Sequence, residues 1–146
     1  GQAHVATLLA SERARVDADA VASLYATFGG IDTTLKQVMT AWQVRPDGTP
    51  NDHADAAYDS GVVRDLAELH ARAMPLLERL STLSPRLASY PVRLARALRR
   101  VEGGDRGYVA RIIADSYHTI WFELHRELIA LAGLDAVTEA RAGRTI

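Results

Sequence analysis

The chain has 146 residues and a formal net charge of -1, from 17 basic and 18 acidic residues, which leaves no uniformly basic surface for non-specific DNA binding. A hydrophobic share of 48% beside 24% charged residues marks a folded chain long enough for one core. The absence of cysteine excludes disulfides, thiolate metal sites and Cys nucleophiles, and with no apolar run near ~18 residues and no signal-peptide pattern a soluble, cytoplasmic chain is expected.

Helix is the only period of any length. Val5, Leu8, Leu9, Val16 and Ala20 form a sparse stripe among Glu12, Arg13, Arg15, Asp17 and Asp19, the pattern of a long polar helix that needs a partner. A firmer stripe follows at Leu24, Phe28, Ile31, Leu35, Val38 and Trp42, in alternating steps of about four and three. It crosses Gly29 and Gly30 without losing phase. Two glycines inside a helix cost about 2 kcal/mol, so either packing offsets that cost or the helix restarts at Asp32. Pro46, Asp47, Gly48, Thr49 and Pro50 then make the longest loop.

The second helix carries Tyr58, Val62, Leu66, Leu69, Ala73, Leu76 and Leu80 on one face. Asn51 or Asp52 is expected to cap it, Asp55 complements its dipole, and Pro75 predicts a kink over 71–75. Ser84-Pro85 and Ser89-Tyr90-Pro91 read as helix starts, followed by Leu87, Leu94, Leu98 and Val101. Glu102-Gly103-Gly104 ends that helix, and Asp105 is expected to cap the last long one. There Ile113, Tyr117, Ile120, Trp121, Leu124, Leu128 and Leu131 share a face until Gly133. A short, weak helix is expected over 135–142. With no strand-like alternation, repeat or low-complexity tract, the fold class is all-α: one domain over 1–146, an antiparallel bundle of four to five helices whose long first helix could project as a dimer arm.

Chemistry-bearing residues gather at two places. His118 and His125 fall within about 20° of each other on the last helix, beside Asp115 and Phe122. Roughly 10.5 Å of axial separation argues against both histidines binding one metal, and only Asp115 with His118 has the ligand spacing of three. Near the long loop, Trp42, Gln43 and Arg45 precede Asn51, Asp52 and His53, so an indole adjoins amide, carboxylate, imidazole and guanidinium groups, as in small-ligand pockets. The plain alternative is that the histidines are satisfied structural groups and the loop acids caps. A metal site would draw on Asp52, His53, Asp115, His118 and His125; no cofactor is otherwise expected. Residues 86–111 hold seven arginines against two acids, and residues 45–68 hold six acids against two arginines. Such runs make solvated faces, intramolecular or dimer pairs, or an anion site at Arg93, Arg96 and Arg100. There is no nucleophile motif, phosphate loop or paired acid/base carboxylate set, and nothing favours an enzyme.

Three segments, Trp42-Gln43 with Asn51-Asp52-His53, Asp115-Ser116-Tyr117-His118, and Trp121-Phe122-Glu123-Leu124-His125, resemble the helical C-terminal region of actinobacterial MarR-like or winged-helix transcriptional regulators. Some of those are associated with phosphoenolpyruvate-utilising enzymes. The resemblance spans about residues 16–134, and the start, Gly1-Gln2-Ala3-His4-Val5 with Leu8-Leu9-Ala10, is similar to the stretch after a winged-helix wing. It implies that residues 1–15 belong to a connecting helix from a DNA-binding part outside this chain. The expected function is then effector binding and homodimerisation: Trp121 a wall, the histidines and Asp115 hydrogen-bond partners, Arg45 an anion clamp, and the first helix the transmitter. That expectation needs the loop and the last helix to face one shared hollow. The alternatives are a purely structural dimerisation or docking module and, further off, a metal-dependent helical enzyme.

Overall fold

The structure, a computed structural model, describes residues 2–112 and 115–141, with side chains over 18–112 and 115–133. Four helices form an all-α bundle: α1 (Gln2–Gln43), α2 (Ala56–Leu83), α3 (Ser89–Glu102) and α4 (Tyr117–Arg141), with single 3₁₀ turns at Pro85–Leu87 and Arg106–Tyr108. Each helix packs on the next and α4 returns to α1, which closes the ring. There is no strand among the described residues, only one bridge between Val44 and Pro50.

The apolar stripes are the core. Leu24, Phe28, Ile31, Leu35, Val38 and Trp42 of α1 are buried, as are Val62, Leu66, Leu69, Ala73, Leu76 and Leu80 of α2. Leu87 with Leu94, Leu98 and Val101 of α3, and Tyr117, Ile120, Trp121, Leu124 and Leu128 of α4, complete it. Ile113 lies outside the described residues, and so do the side chains of Val5, Leu8, Leu9 and Val16 on which a dimer arm would rest.

Helix α1 runs unbroken through Gly29 and Gly30, so packing, not restart, resolves the glycine pair. Phe28 and Ile31 bury the flanks, and the Thr33 and Thr34 hydroxyls donate to the Gly29 and Gly30 carbonyls at 3.0 and 3.3 Å.

Several ends differ from expectation. Asp55, not Asn51 or Asp52, caps α2, its carboxylate accepting from the Tyr58 N–H; Asn51 is drawn inward instead, and Asp52 accepts from the nearby Ala54 N–H. Helix α2 holds Pro75 inside its length and, as its stripe to Leu80 implies, runs on to Leu83. Ala88, not Ser89, precedes α3, and no side chain caps it. Gly103 and Gly104 do end α3, Gly104 at φ +109°, a conformation that favours glycine. The last helix begins at Tyr117, not behind Asp105: the Ser116 hydroxyl accepts from the Thr119 N–H at 3.3 Å, while the Asp105 side chain caps nothing. Gly133 does not stop α4, which absorbs most of the expected short terminal helix and reaches Arg141.

Candidate functional site

The chain leaves α1 through a tight hairpin. The Arg45 N–H donates to the Thr49 carbonyl at 2.8 Å, the Asn51 N–H to the Gln43 carbonyl at 2.9 Å, and Gly48 takes φ +87° at the tip. This folding carries Asn51 back under the end of α1. Its side-chain amide donates to the Trp42 carbonyl at 2.9 Å and to Asp59 Oδ1 at 2.8 Å, while its Oδ1 accepts from the His53 N–H at 3.0 Å. Asp59, buried on the first turn of α2, meets His53 Nδ1 at 2.8 Å through its other oxygen. A carboxylate only accepts, so the proton of that bond sits on Nδ1. The His53 ring lies 4.5 Å from the Trp42 ring, and its backbone adopts φ +61°. Such a value is uncommon outside glycine and marks a constrained residue.

A second triad of indole, imidazole and buried acid joins α1 to α4. The Trp121 indole N–H donates to Asp32 Oδ1 at 3.0 Å, and Lys36 pairs with Asp32 Oδ2 at 3.1 Å. His125 Nδ1 stands 4.0 Å from Asp32, and its ring tilts against Phe28 at 5.2 Å. Phe28 in turn stacks on Trp121 at 4.7 Å and 13°. Asp32 keeps only 8% of its surface, so these partners replace the water it has lost.

Each triad borders a hollow. Between α1 and α4, Leu35, Met39 and the Trp121 and Phe122 rings wall a space of about 530 Å³, with Asp32, Lys36, His118, His125, Thr40 and Gln43 as its polar groups. Beside the loop, Trp42, Asn51 and His53 face Arg106 and Arg111 across about 560 Å³. Gln43 lines both. The single shared hollow expected from the sequence is therefore two, meeting at the end of α1.

Three expected site residues stand outside both. Arg45 lies over the Tyr58 ring at 4.7 Å and pairs with Asp55 at 3.3 Å; the Tyr58 N–H bond first, then Arg45, holds the Asp55 carboxyl below its usual range. Asp52 is exposed at the loop surface. Asp115 accepts from Arg93 at 2.8 and 3.3 Å, and Arg93 also grips Glu123 at 2.7 Å. This pairing, with Asp115 first, raises the Arg93 pKa further. Asp52, His53, Asp115, His118 and His125 thus do not converge as ligands, and no group of three or more metal-ligating side chains occurs among the described residues. The two buried acids, Asp32 and Asp59, were not singled out in the sequence. Their one signal is position: Asp32 follows Phe28 by four residues and precedes Leu35 by three, while Asp59 precedes Val62 and Val63 by three and four.

No family model matches the chain, and neither the curated proteins nor the solved structures contain a similar one. Among the described residues no helix is long and apolar enough to cross a membrane.

Proposed function

We propose that the chain is a ligand-sensing helical module whose principal site is the hollow between α1 and α4. The observation that carries this reading is the hollow itself: about 530 Å³, walled by Leu35, Met39, Trp121 and Phe122, with six polar side chains around them. That size and composition match small-molecule sites. The Asp32 bond fixes the Trp121 ring as a wall, and the chemistry fits a compact, partly aromatic molecule with a polar end for His118, His125 or Gln43.

Six of the lining residues, from Asp32 to Gln43, belong to α1. A ligand that binds one packing of α1 against α4 better than another shifts the balance between them. In the regulator setting implied by the resemblance, α1 carries that shift to a DNA-binding part outside this chain, within a cytoplasmic homodimer.

The test is a metabolite screen by thermal shift on the wild type and on Thr40→Trp, a residue exposed at the rim of the hollow. At least one compound is expected to raise the wild-type melting temperature and to leave the variant unmoved. A screen without hits, or one in which every hit stabilises both proteins equally, contradicts the reading.

One observation favours a structural dimerisation module instead: Phe122 and Ile129, two turns apart on α4, are 58% and 51% exposed. Under that reading light scattering gives a dimer that Phe122→Ser with Ile129→Ser converts to monomer, and the screen gives no hits.

A further inference from the structure

We infer that the loop-side hollow is a separate site for small oxyanions, the phosphoryl or carboxylate end of a metabolite. His53, Arg106 and Arg111 all line it. Neither arginine has a carboxylate within 4.0 Å among the described residues, whereas Arg45, Arg86 and Arg93 are paired with acids. The Arg106 guanidinium is held in place by the backbone. Arg106 Nη1 donates to the Val101 carbonyl at 2.7 Å, and Arg111 folds so closely over Gly107 that a Cβ there would stand 2.8 Å from its Cζ and Nη2.

The imidazole is oriented in the same direct way. Asp59 accepts at Nδ1, which leaves Nε2 without a hydrogen-bond partner among the described residues, in a ring that is 44% exposed. Protonated, Nε2 is a third cationic donor; neutral, it accepts from a protonated oxyanion or a water. No carboxylate lines the hollow among the described residues; the Asp59 carboxylate lies behind the His53 ring, hydrogen-bonded to Asn51 and His53, with its side chain 8% exposed. The Asn51 Oδ1 bond to the His53 N–H holds the φ +61° backbone that aims the ring. Two guanidiniums, an imidazole and an indole wall around about 560 Å³ are the groups that recognise a charged planar or tetrahedral oxyanion on a small carrier.

The chain has two tryptophans, so its two indole N–H resonances report the two hollows separately. Inorganic phosphate and, in a parallel series, succinate are titrated at constant ionic strength with sodium chloride as reference. The Trp42 resonance is expected to shift saturably while that of Trp121 stays; whether phosphate, succinate or both act identifies the anion class. Arg111→Ala is expected to weaken binding about tenfold or more. Arg72→Ala, an exposed arginine of α2 outside the hollow, is expected to leave it unchanged, and an unmoved Trp121 resonance shows that each variant is folded. The inference is overturned if neither anion saturates, if chloride produces the same shift, if Trp121 responds equally, or if Arg111→Ala weakens binding no more than Arg72→Ala. None of these outcomes depends on a ligand in the α1–α4 hollow.

Discussion

Two carboxylates sink into this bundle, each beside an indole and an imidazole, and they are satisfied over very different stretches of chain. Asp59 reaches Asn51 and His53 within eight residues, inside one loop and the helix turn that follows it. Asp32 reaches Trp121 across 89 residues and so ties the first long helix to the last. The local cluster shapes a loop and aims a ring; the distant one helps hold the bundle closed. Loss of the distant cluster should therefore cost global stability, and loss of the local one should mainly alter the loop.

The largest effect expected is at Trp121. It is 2% exposed and stacks on Phe28, so Trp121→Ala should cost about 3–5 kcal/mol in urea denaturation. A loss below about 1 kcal/mol would mean that this stack does not hold α4 to α1.

Asp32→Ala comes next, at about 1–3 kcal/mol, because the indole N–H is left buried without an acceptor. A double-mutant cycle with Trp121→Phe should show coupling of about 0.5 kcal/mol or more. The same cycle between Asp59→Ala and Trp121→Phe should show none, since the two share no partner. Equal couplings would erase the distinction between the clusters.

At the loop, His53 stands at φ +61°. His53→Ala and His53→Gly both remove the imidazole, but only alanine keeps the backbone penalty, so glycine should be the more stable by about 1 kcal/mol. Equal stabilities would show that the loop relaxes freely.

Within α1, nothing lies within 4 Å of a Cβ added at Gly29 or Gly30. Each glycine-to-alanine change should raise stability by up to about 1 kcal/mol. A loss at either position would reveal a packing role for the glycine.

His70 gives the smallest signal. Its Nδ1 shares a hydrogen bond with the Tyr117 hydroxyl at 2.9 Å, and burial lowers its pKa, with Glu102 opposing. The folded state therefore holds fewer protons at this position than the unfolded one, whose pKa is about 6.5. Its contribution is complete above that value and is lost as the pH falls below it. Between about pH 7.5 and about pH 5.5 the wild type should lose more melting temperature than His70→Gln. Equal losses would place the pH sensitivity elsewhere.

The bundle was legible because its stripes repeat: Leu24 to Trp42 and Tyr58 to Leu80 mark helix faces by spacing alone, and packing then carries α1 through its glycines. His118 and His125 were legible at the edge of the last helix, Trp42 and Trp121 as aromatics of the apolar stripes, and Asn51 and His53 as polar groups of the long loop. What spacing does not encode is which distant edge each one meets. Asp32 and Asp59 become site residues only when Trp121 and His53 arrive beside them, and Asp115 reads as a site residue until Arg93 takes both its oxygens. The border between two hollows at Gln43 has the same origin, in the angle at which the hairpin folds back under α1.

The central claim is that the α1–α4 hollow receives a ligand of its own, and the indole N–H of Trp121 reads it most directly because it donates to Asp32 at the wall of the hollow. Titration with a compound that raises the melting temperature of the wild type but not of Thr40→Trp should move the Trp121 resonance saturably and leave that of Trp42 in place. If a compound selected in that way leaves Trp121 fixed, or moves both indoles together, that result contradicts the account.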